Sequence, residues 1–212
     1  MAQSPPESSE KLEVVRLPPG DLPGGFRCKP PGQADDLGDY LTQGDAQRDE
    51  AAGFARTYLV RRDAEFIAYF SLQADAIKLQ PDEKVSRVPY ASAPAIKLTR
   101  LGVRHDLQSN GYGSQLIALV VASALEIARV VGVRYLTLDA VADKKDWYIK
   151  KGWVENKVPL SEQHTTEALK EEGECSMRRD LGPIFARPAT DGSPVLQLDA
   201  KSDAEFERQL KQ

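Results

Sequence analysis

The sequence is poor in the residues from which metal centres and disulfide frameworks are built. Its 212 residues include two cysteines and two histidines. Cys28 and Cys175 are far apart, and neither shares a ligand-like spacing with His105 or His164. A metal cluster is excluded on that ground, and so is a disulfide scaffold. Two isolated thiols fit a reducing compartment, so a cytoplasmic protein is expected. Long apolar runs are also missing. A membrane-spanning helix needs ~20 uninterrupted apolar residues, and the most apolar stretch, 116–131, is broken by Ser123, Glu126 and Arg129. No membrane partner is expected. Met1 to Glu10 is rich in Ser, Pro and Glu with no apolar centre, so it reads as a disordered start rather than a signal peptide. Neither sign of charge dominates. The formal net charge is -4 and the pI is near 5.4, which excludes a global attraction to nucleic acid but leaves a local basic patch open. There are no repeats.

What is present is enough for one core. At 41% hydrophobic residues the chain is expected to form a single domain, organised around 96–131. Ile96, Leu98, Leu101 and Val103 mark a strand. Gly102 within it permits a bulge or a close approach by another backbone. The turn Gln108-Ser109-Asn110-Gly111-Tyr112-Gly113-Ser114 follows. From Leu116 to Val131 apolar residues recur almost all round a helix, which predicts extensive burial, and Gly132 is placed to stop it. A helix N-terminus offers unpaired N–H groups and the positive end of a dipole, so it suits an anion. Gly111 and Gly113 remove side chains that would keep a phosphate from those amides. A lone G-x-G serves equally well as plain turn geometry.

In chain order, Leu12 to Leu17 alternates as a strand, and Asp21 to Ala34 is a Pro- and Gly-rich loop. Asp35 to Ala55 has helical spacing divided at Gly44. Thr57 to Arg61 and Glu65 to Gln73 flank Arg62-Asp63-Ala64 as a β-hairpin. Val85 to Pro94 reads as a polar loop. Beyond the central helix come a strand from Val133 to Ala140, a short helix from Val141 to Lys151 ended by Gly152, and a strand from Trp153. Ser161 to Gly173 has the composition of an exposed helix or loop. Cys175 to Leu181 returns to strand. Ser202-Asp-Ala-Glu205 is a capping-box signature that opens a terminal helix bearing Phe206 and Leu210 on one face.

Three segments carry a resemblance. Gln108-x-x-Gly111-x-Gly113 after the Val103 strand resembles the acyl-CoA signature of the GNAT (Gcn5-related) N-acetyltransferases. Asp146-Trp-Tyr-Ile-Lys-Lys-Gly-Trp153 is similar to the family's aromatic-Tyr-x-x-x-Gly-aromatic segment. Upstream, Phe26-Arg-Cys28, Leu37-Gly-Asp-Tyr-Leu41 and Thr57-Tyr-Leu-Val60 resemble GNAT proteins of toxin–antitoxin systems. The sequence departs from the pattern at Ser109, where many relatives have Gly, and at Tyr112, bulky between the two glycines. It departs again at Asp146, where an alanine is usual, and in lacking an Asn that often helps hold CoA.

The resemblance implies an α/β fold, a mixed, twisted and splayed sheet with helices on both faces. It implies a GNAT domain over 11–181, preceded by the 1–10 terminus and followed by a 182–212 extension. Acetyl-CoA would be the co-substrate, with the Leu101, Gly102 and Val103 strand along its pantetheine arm. Gln108, Ser109, Asn110, Gly111, Tyr112, Gly113 and Ser114 would surround its pyrophosphate. Tyr148 would be the proton donor to the departing thiolate, although most tyrosines at such junctions are core aromatics. Asp139 is a candidate general base by strand position, on equal terms with an ordered water. Trp147 and Trp153 read as core, and Arg100, Arg104 and His105 as solvated charge. Lys144, Lys145, Lys150 and Lys151 read as a solvated face or as attraction for CoA phosphates. The reaction implied is acetyl transfer to a primary amine of an unidentified acceptor. Two alternatives stand beside it: a toxin acetylating aminoacyl-tRNA, with an antitoxin partner, and a silent acyl-CoA-binding module. A homodimer is compatible with each.

Overall fold

The computed structural model describes residues 12–18, 25–63, 65–84, 90, 92–159 and 174–182. The expectations for 1–10, for 161–173 and for the terminal helix fall outside the described residues. Seven strands form one sheet: β1 (Leu12–Arg16), β2 (Arg56–Arg62), β3 (Glu65–Lys78), β4 (Ser92–Val103), β5 (Tyr135–Val141), β6 (Val154–Glu155) and β7 (Glu174–Asp180). Their spatial order is β1-β2-β3-β4-β5-β7-β6. Only β4 and β5 are parallel among the neighbours. The helix that connects them, α3 (Tyr112–Val130), is the crossover that a parallel pair requires.

The sheet separates two apolar layers. β3 reads as a continuous apolar run because both of its faces are covered. Ala68 and Phe70 join Leu98, Leu136, Leu138 and the α3 residues Leu116, Ile117, Val120 and Ala124 in the larger core. Tyr69 points the other way, into a second cluster with Phe26, Cys28, Tyr40, Leu41, Ala46 and Leu59. That cluster lies beneath α1 (Asp36–Thr42) and α2 (Asp45–Ala51). Each large side chain so buried contributes about 1.5–3 kcal/mol. Helices therefore cover both faces, as expected.

Several boundaries moved for identifiable reasons. Gly44 divides the upstream helical segment as its spacing predicts, holding φ 89 between α1 and α2. β3 runs five residues past Gln73, because Ala74 to Lys78 find partners on β4 from Ile96 back to Ser92. That pairing also draws Pro94 into β4 rather than into a loop. α3 begins at Tyr112, four residues before the apolar run, so the turn is shorter than its glycines suggested. Burial of α3 is one-sided: six of its nineteen residues are buried, and Val130 and Val131 are exposed. By length and apolarity α3 could cross a membrane, yet its inner face is committed to the sheet. Gly132 is not a left-handed cap; α3 ends on extended Val131. Gly152, by contrast, has φ 85 and closes the α4 segment (Lys145–Ile149) as expected.

Candidate active site

The centre of the site is a fork in the sheet. β4 pairs with β5 only where Ala95, Ile96 and Lys97 meet Tyr135, Leu136 and Thr137. Beyond that point β5 follows β7 to Val141 and β4 follows β3 to Val103. The register of β3 against β4 jumps from Leu72–Leu98 to Ser71–Arg100, which leaves Thr99 as the extra residue of a bulge. A bulge bends its strand and increases its twist, and this one sits where β4 leaves β5. Leu101 and Val103, half-buried, lean on the larger core. Gly102 is crowded rather than open. A Cβ there would lie 2.5 Å from Tyr69 Cε1 and 2.8 Å from Cys28 Sγ. It is a side-chain contact, not a second backbone, that requires glycine here.

At the mouth of the fork, a 3-10 turn (His105–Leu107) leads into residues 108–111 and then α3. Ser109 has φ 67 and Gly111 φ 86. A serine in the left-handed region costs on the order of 1 kcal/mol, which explains why glycine would be the easier choice at 109. No side chain caps α3 and no acidic residue occupies its first turn, so the positive end of the dipole is left uncompensated. A Cβ built on Gly111 would meet nothing within 4 Å. The approach to these amides is open.

Two residues of the turn have different surroundings from those expected. Gln108 Nε2 donates to the carbonyls of Val103 (2.9 Å) and Cys28 (2.7 Å). Its amide thus fastens the end of β4 to the loop before α1. Asp35, buried, continues the connection by accepting from the Cys28 amide at 2.7 Å and the Gly38 amide at 3.0 Å. Tyr112 is buried as the first residue of α3. Its hydroxyl accepts from Arg62, whose guanidinium also lies 5.7 Å from the ring centroid. Bulk at this position fills a gap between α3 and the end of β2. Ser109, Asn110 and Gly111 are exposed; Gly113 and Ser114 are half-buried in the first turn of the helix.

Tyr148 stands on α4, edge-on to Trp147 (4.9 Å between centroids) and to buried Trp153 (5.9 Å). Burial pushes its phenol up to about 12, so at neutral pH it holds its proton. The hydroxyl has no hydrogen-bond partner among the described residues. Trp147 in turn lies against the first turn of α3, since a Cβ on Gly113 would be 3.4 Å from its Cζ2. The two glycines thus have different surroundings: Gly111 supplies a positive φ in open space, and Gly113 faces the Trp147 ring at van der Waals distance.

On the α1 side of the sheet, Lys97 and Asp139 form an ion pair across the fork. The strand position of Asp139 was legible, but its partner was not, although a lone lysine between Ile96 and Leu98 was the available signal. Most of the remaining charged candidates are engaged, the exceptions among the described residues being Lys150, which is exposed, and the His105 ring, whose buried Nδ1 has no hydrogen-bond partner. Arg104 joins Asp106 at 2.7 Å and Glu65 at 3.2 Å, and Arg100 covers the Tyr40 ring at 5.0 Å. His105 donates its backbone N–H to the Arg27 carbonyl at 2.8 Å. Lys144 pairs with Asp143, Lys145 with Glu155, and Lys151 lies over Trp147.

No protein-family model and no curated protein matches this sequence. Solved structures do. A tyrosine-to-phenylalanine variant of KacT superposes with a TM-score of 0.64 at 20% identity, covering 82% of this chain and 98% of that one. AtaT complexed with acetyl-methionyl-tRNAfMet gives 0.65 at 19% identity over 83% and 98%. A tyrosine-to-phenylalanine variant of the AtaT toxin, bound to the C-terminus of the antitoxin AtaR and acetyl-CoA, gives 0.59 at 20% over 83% and 97%. The chain therefore has the mixed-sheet, GNAT-like α/β fold of these toxins.

Proposed function

We propose that the protein is an acetyl-CoA-dependent N-acetyltransferase. The observation that carries this reading is the fork, with the open, uncapped end of α3 at its mouth and a protonated phenol beside that end. The residues fit the co-substrate. The amides of 111–113 can receive a pyrophosphate, because Gly111 leaves the approach clear and the helix end is positive, whereas the Ser114 amide already donates to the Gly111 carbonyl at 3.0 Å. The free edge of β4 from Leu101 to Val103 can hydrogen-bond a pantetheine arm. Gln108 serves this site as a strut rather than as a ligand, and Tyr112 as packing against Arg62. Acetyl-CoA supplies the activated acyl group. The chain supplies position, exclusion of water by the Trp147–Trp153 wall, and a proton at the Tyr148 hydroxyl for the departing sulfur.

The acceptor in this reading is the α-amine of an aminoacyl-tRNA, the charge on the enzyme being local rather than global. The AtaT complex with acetyl-methionyl-tRNAfMet supports it. So do exposed Lys29 and Lys150, which form no ion pair among the described residues and leave positive charge for phosphates, whereas Lys144 is already paired with Asp143. An antitoxin partner follows by the same analogy. The test is to incubate the protein with acetyl-CoA and bulk aminoacyl-tRNA, then assay N-acetylaminoacyl esters after nuclease digestion. Their formation, falling steeply with added salt as phosphate contacts require, is the expected result. Acetyl-CoA binding with unmodified tRNA, and transfer instead to a polyamine or a protein amine, would replace this acceptor and keep the enzyme class. The absence of acetyl-CoA binding would overturn both.

A further inference from the structure

The Lys97–Asp139 pair has a location that its stabilising role does not require. Lys97 belongs to the last residue pair that β4 shares with β5, opposite Thr137. Asp139 is two residues further along β5, on the same face as Thr137, at the level where β4 has already turned away. The lysine side chain crosses that gap. Its side chain is 14% exposed and that of Asp139 21%, so among the described residues Lys97 is far more enclosed than the ion-paired Lys144, Lys145 and Lys157, which are 58%, 36% and 60% exposed. Nearby polar groups are otherwise engaged. Thr137 Oγ1 donates to Asp75 at 2.6 Å, and Thr99 Oγ1 to the Ser71 carbonyl at 3.3 Å. The fork thus holds a primary amine in contact with a carboxylate, in the place where a thioester and an acceptor amine would meet.

We propose that Lys97 is a site of self-acetylation, an inference that rests on the acetyltransferase reading above. The Lys97 ammonium passes one proton to the Asp139 carboxylate. The freed Nζ lone pair then attacks the thioester carbonyl carbon, forming the N–C bond. As the C–S bond breaks, sulfur leaves as thiolate and takes up the second proton lost from nitrogen, so the products are an Nε-acetyl amide and CoA thiol. Asp139 returns its proton to water. No further reactant is needed. The acetylated side chain carries no charge, so the modified protein retains an Asp139 carboxylate without its ion partner. An uncompensated, half-buried charge is destabilising. Modification therefore lowers the melting temperature.

The experiment uses the full chain with acetyl-CoA and no acceptor, and maps acetyl groups by peptide mass spectrometry. Lys97 is expected to become acetylated well ahead of exposed Lys144 and Lys150, and excess CoA thiol is expected to suppress it. Lys97→Arg should abolish the modification. Asp139→Asn, which keeps the lysine and removes the proton acceptor, should slow it by about 10²–10⁴-fold. Calorimetry of acetyl-CoA binding separates the two levels of argument. Binding with Lys97 unmodified overturns self-acetylation and leaves the acetyltransferase reading standing. Acetylation spread evenly over Lys97, Lys144 and Lys150, insensitive to CoA, identifies a spontaneous surface reaction and also overturns it. Loss of both binding and modification overturns both.

Discussion

At the scale of single residues, the catalytic question rests on an oxygen atom. The Tyr148 ring is wedged between Trp147 and Trp153, but its hydroxyl has no partner among the described residues. A phenol placed only for packing would be as well served by phenylalanine. Tyr148→Phe is therefore expected to leave Tm and acetyl-CoA affinity almost unchanged and to lower kcat by ~10²–10⁴. Steady-state kinetics beside a thermal melt checks it, and near-normal turnover would return Tyr148 to the core. Gln108 gives the opposite profile. Its amide makes two hydrogen bonds to carbonyls, each worth about 0.5–1.5 kcal/mol. Gln108→Ala should lower Tm by several degrees and speed amide exchange in 26–35, which it ties to β4. A variant with wild-type exchange there would show that the strut carries no load.

At the scale of elements, the strand–turn–helix unit was legible because its signals are local. Alternation fixed β4, Gly111 fixed the positive φ that begins α3, and Gly152 fixed the end of the α4 segment. The fork itself was not legible, because it depends on which residue of β4 is skipped by β3, and nothing in Leu98-Thr99-Arg100 marks Thr99 as a bulge. Nor could spacing reveal that Gln108 reaches back to Cys28, eighty residues earlier, or that Tyr112 meets Arg62. Such contacts are set by how loops fold over the sheet. The two glycines of the turn now separate by mechanism. Gly111→Val adds a β-branched residue at φ 86 with nothing nearby to clash. It should cost on the order of 1–3 kcal/mol in strain and weaken acetyl-CoA binding by blocking the approach. Gly113→Val instead presses on Trp147 and displaces Tyr148, so it should depress kcat as well as affinity. Isothermal titration and kinetics on the two variants read the difference. Identical losses in both parameters would show that Gly113 is only another part of the anion cradle.

At the scale of the molecule, the described core closes at β7 and Gly182, whose amide donates to Asp180 Oδ1 at 2.7 Å. A chain ending after Gly182 should therefore still melt cooperatively and bind acetyl-CoA, and loss of either would move the domain boundary beyond 182. The pH dependence of the whole fold follows from groups that burial keeps protonated. Burial, its largest cause, raises the Cys28 thiol from 9.0 to about 12, with the neighbouring Asp35 carboxylate adding to the shift. Burial raises Tyr148 from 10.0 to about 12 and pushes Tyr40 and Tyr69 upward as well. Above pH 9 an unfolded chain releases these protons while the folded chain keeps them. The folded state then binds more protons than the unfolded one, so stability declines as pH rises. It is fully present below 9.0 and is lost progressively toward about 12. Melting temperature measured from neutral pH upward should begin to fall near pH 9. Cys28→Ala removes one of two thiols that burial raises, Cys175 being the other, so its decline should be shallower than that of the wild type until the tyrosines of the unfolded chain begin to ionise at about pH 10. An unchanged slope in that variant would mean that exclusion of the Cys28 thiolate from the two-layered core does not drive the alkaline decline.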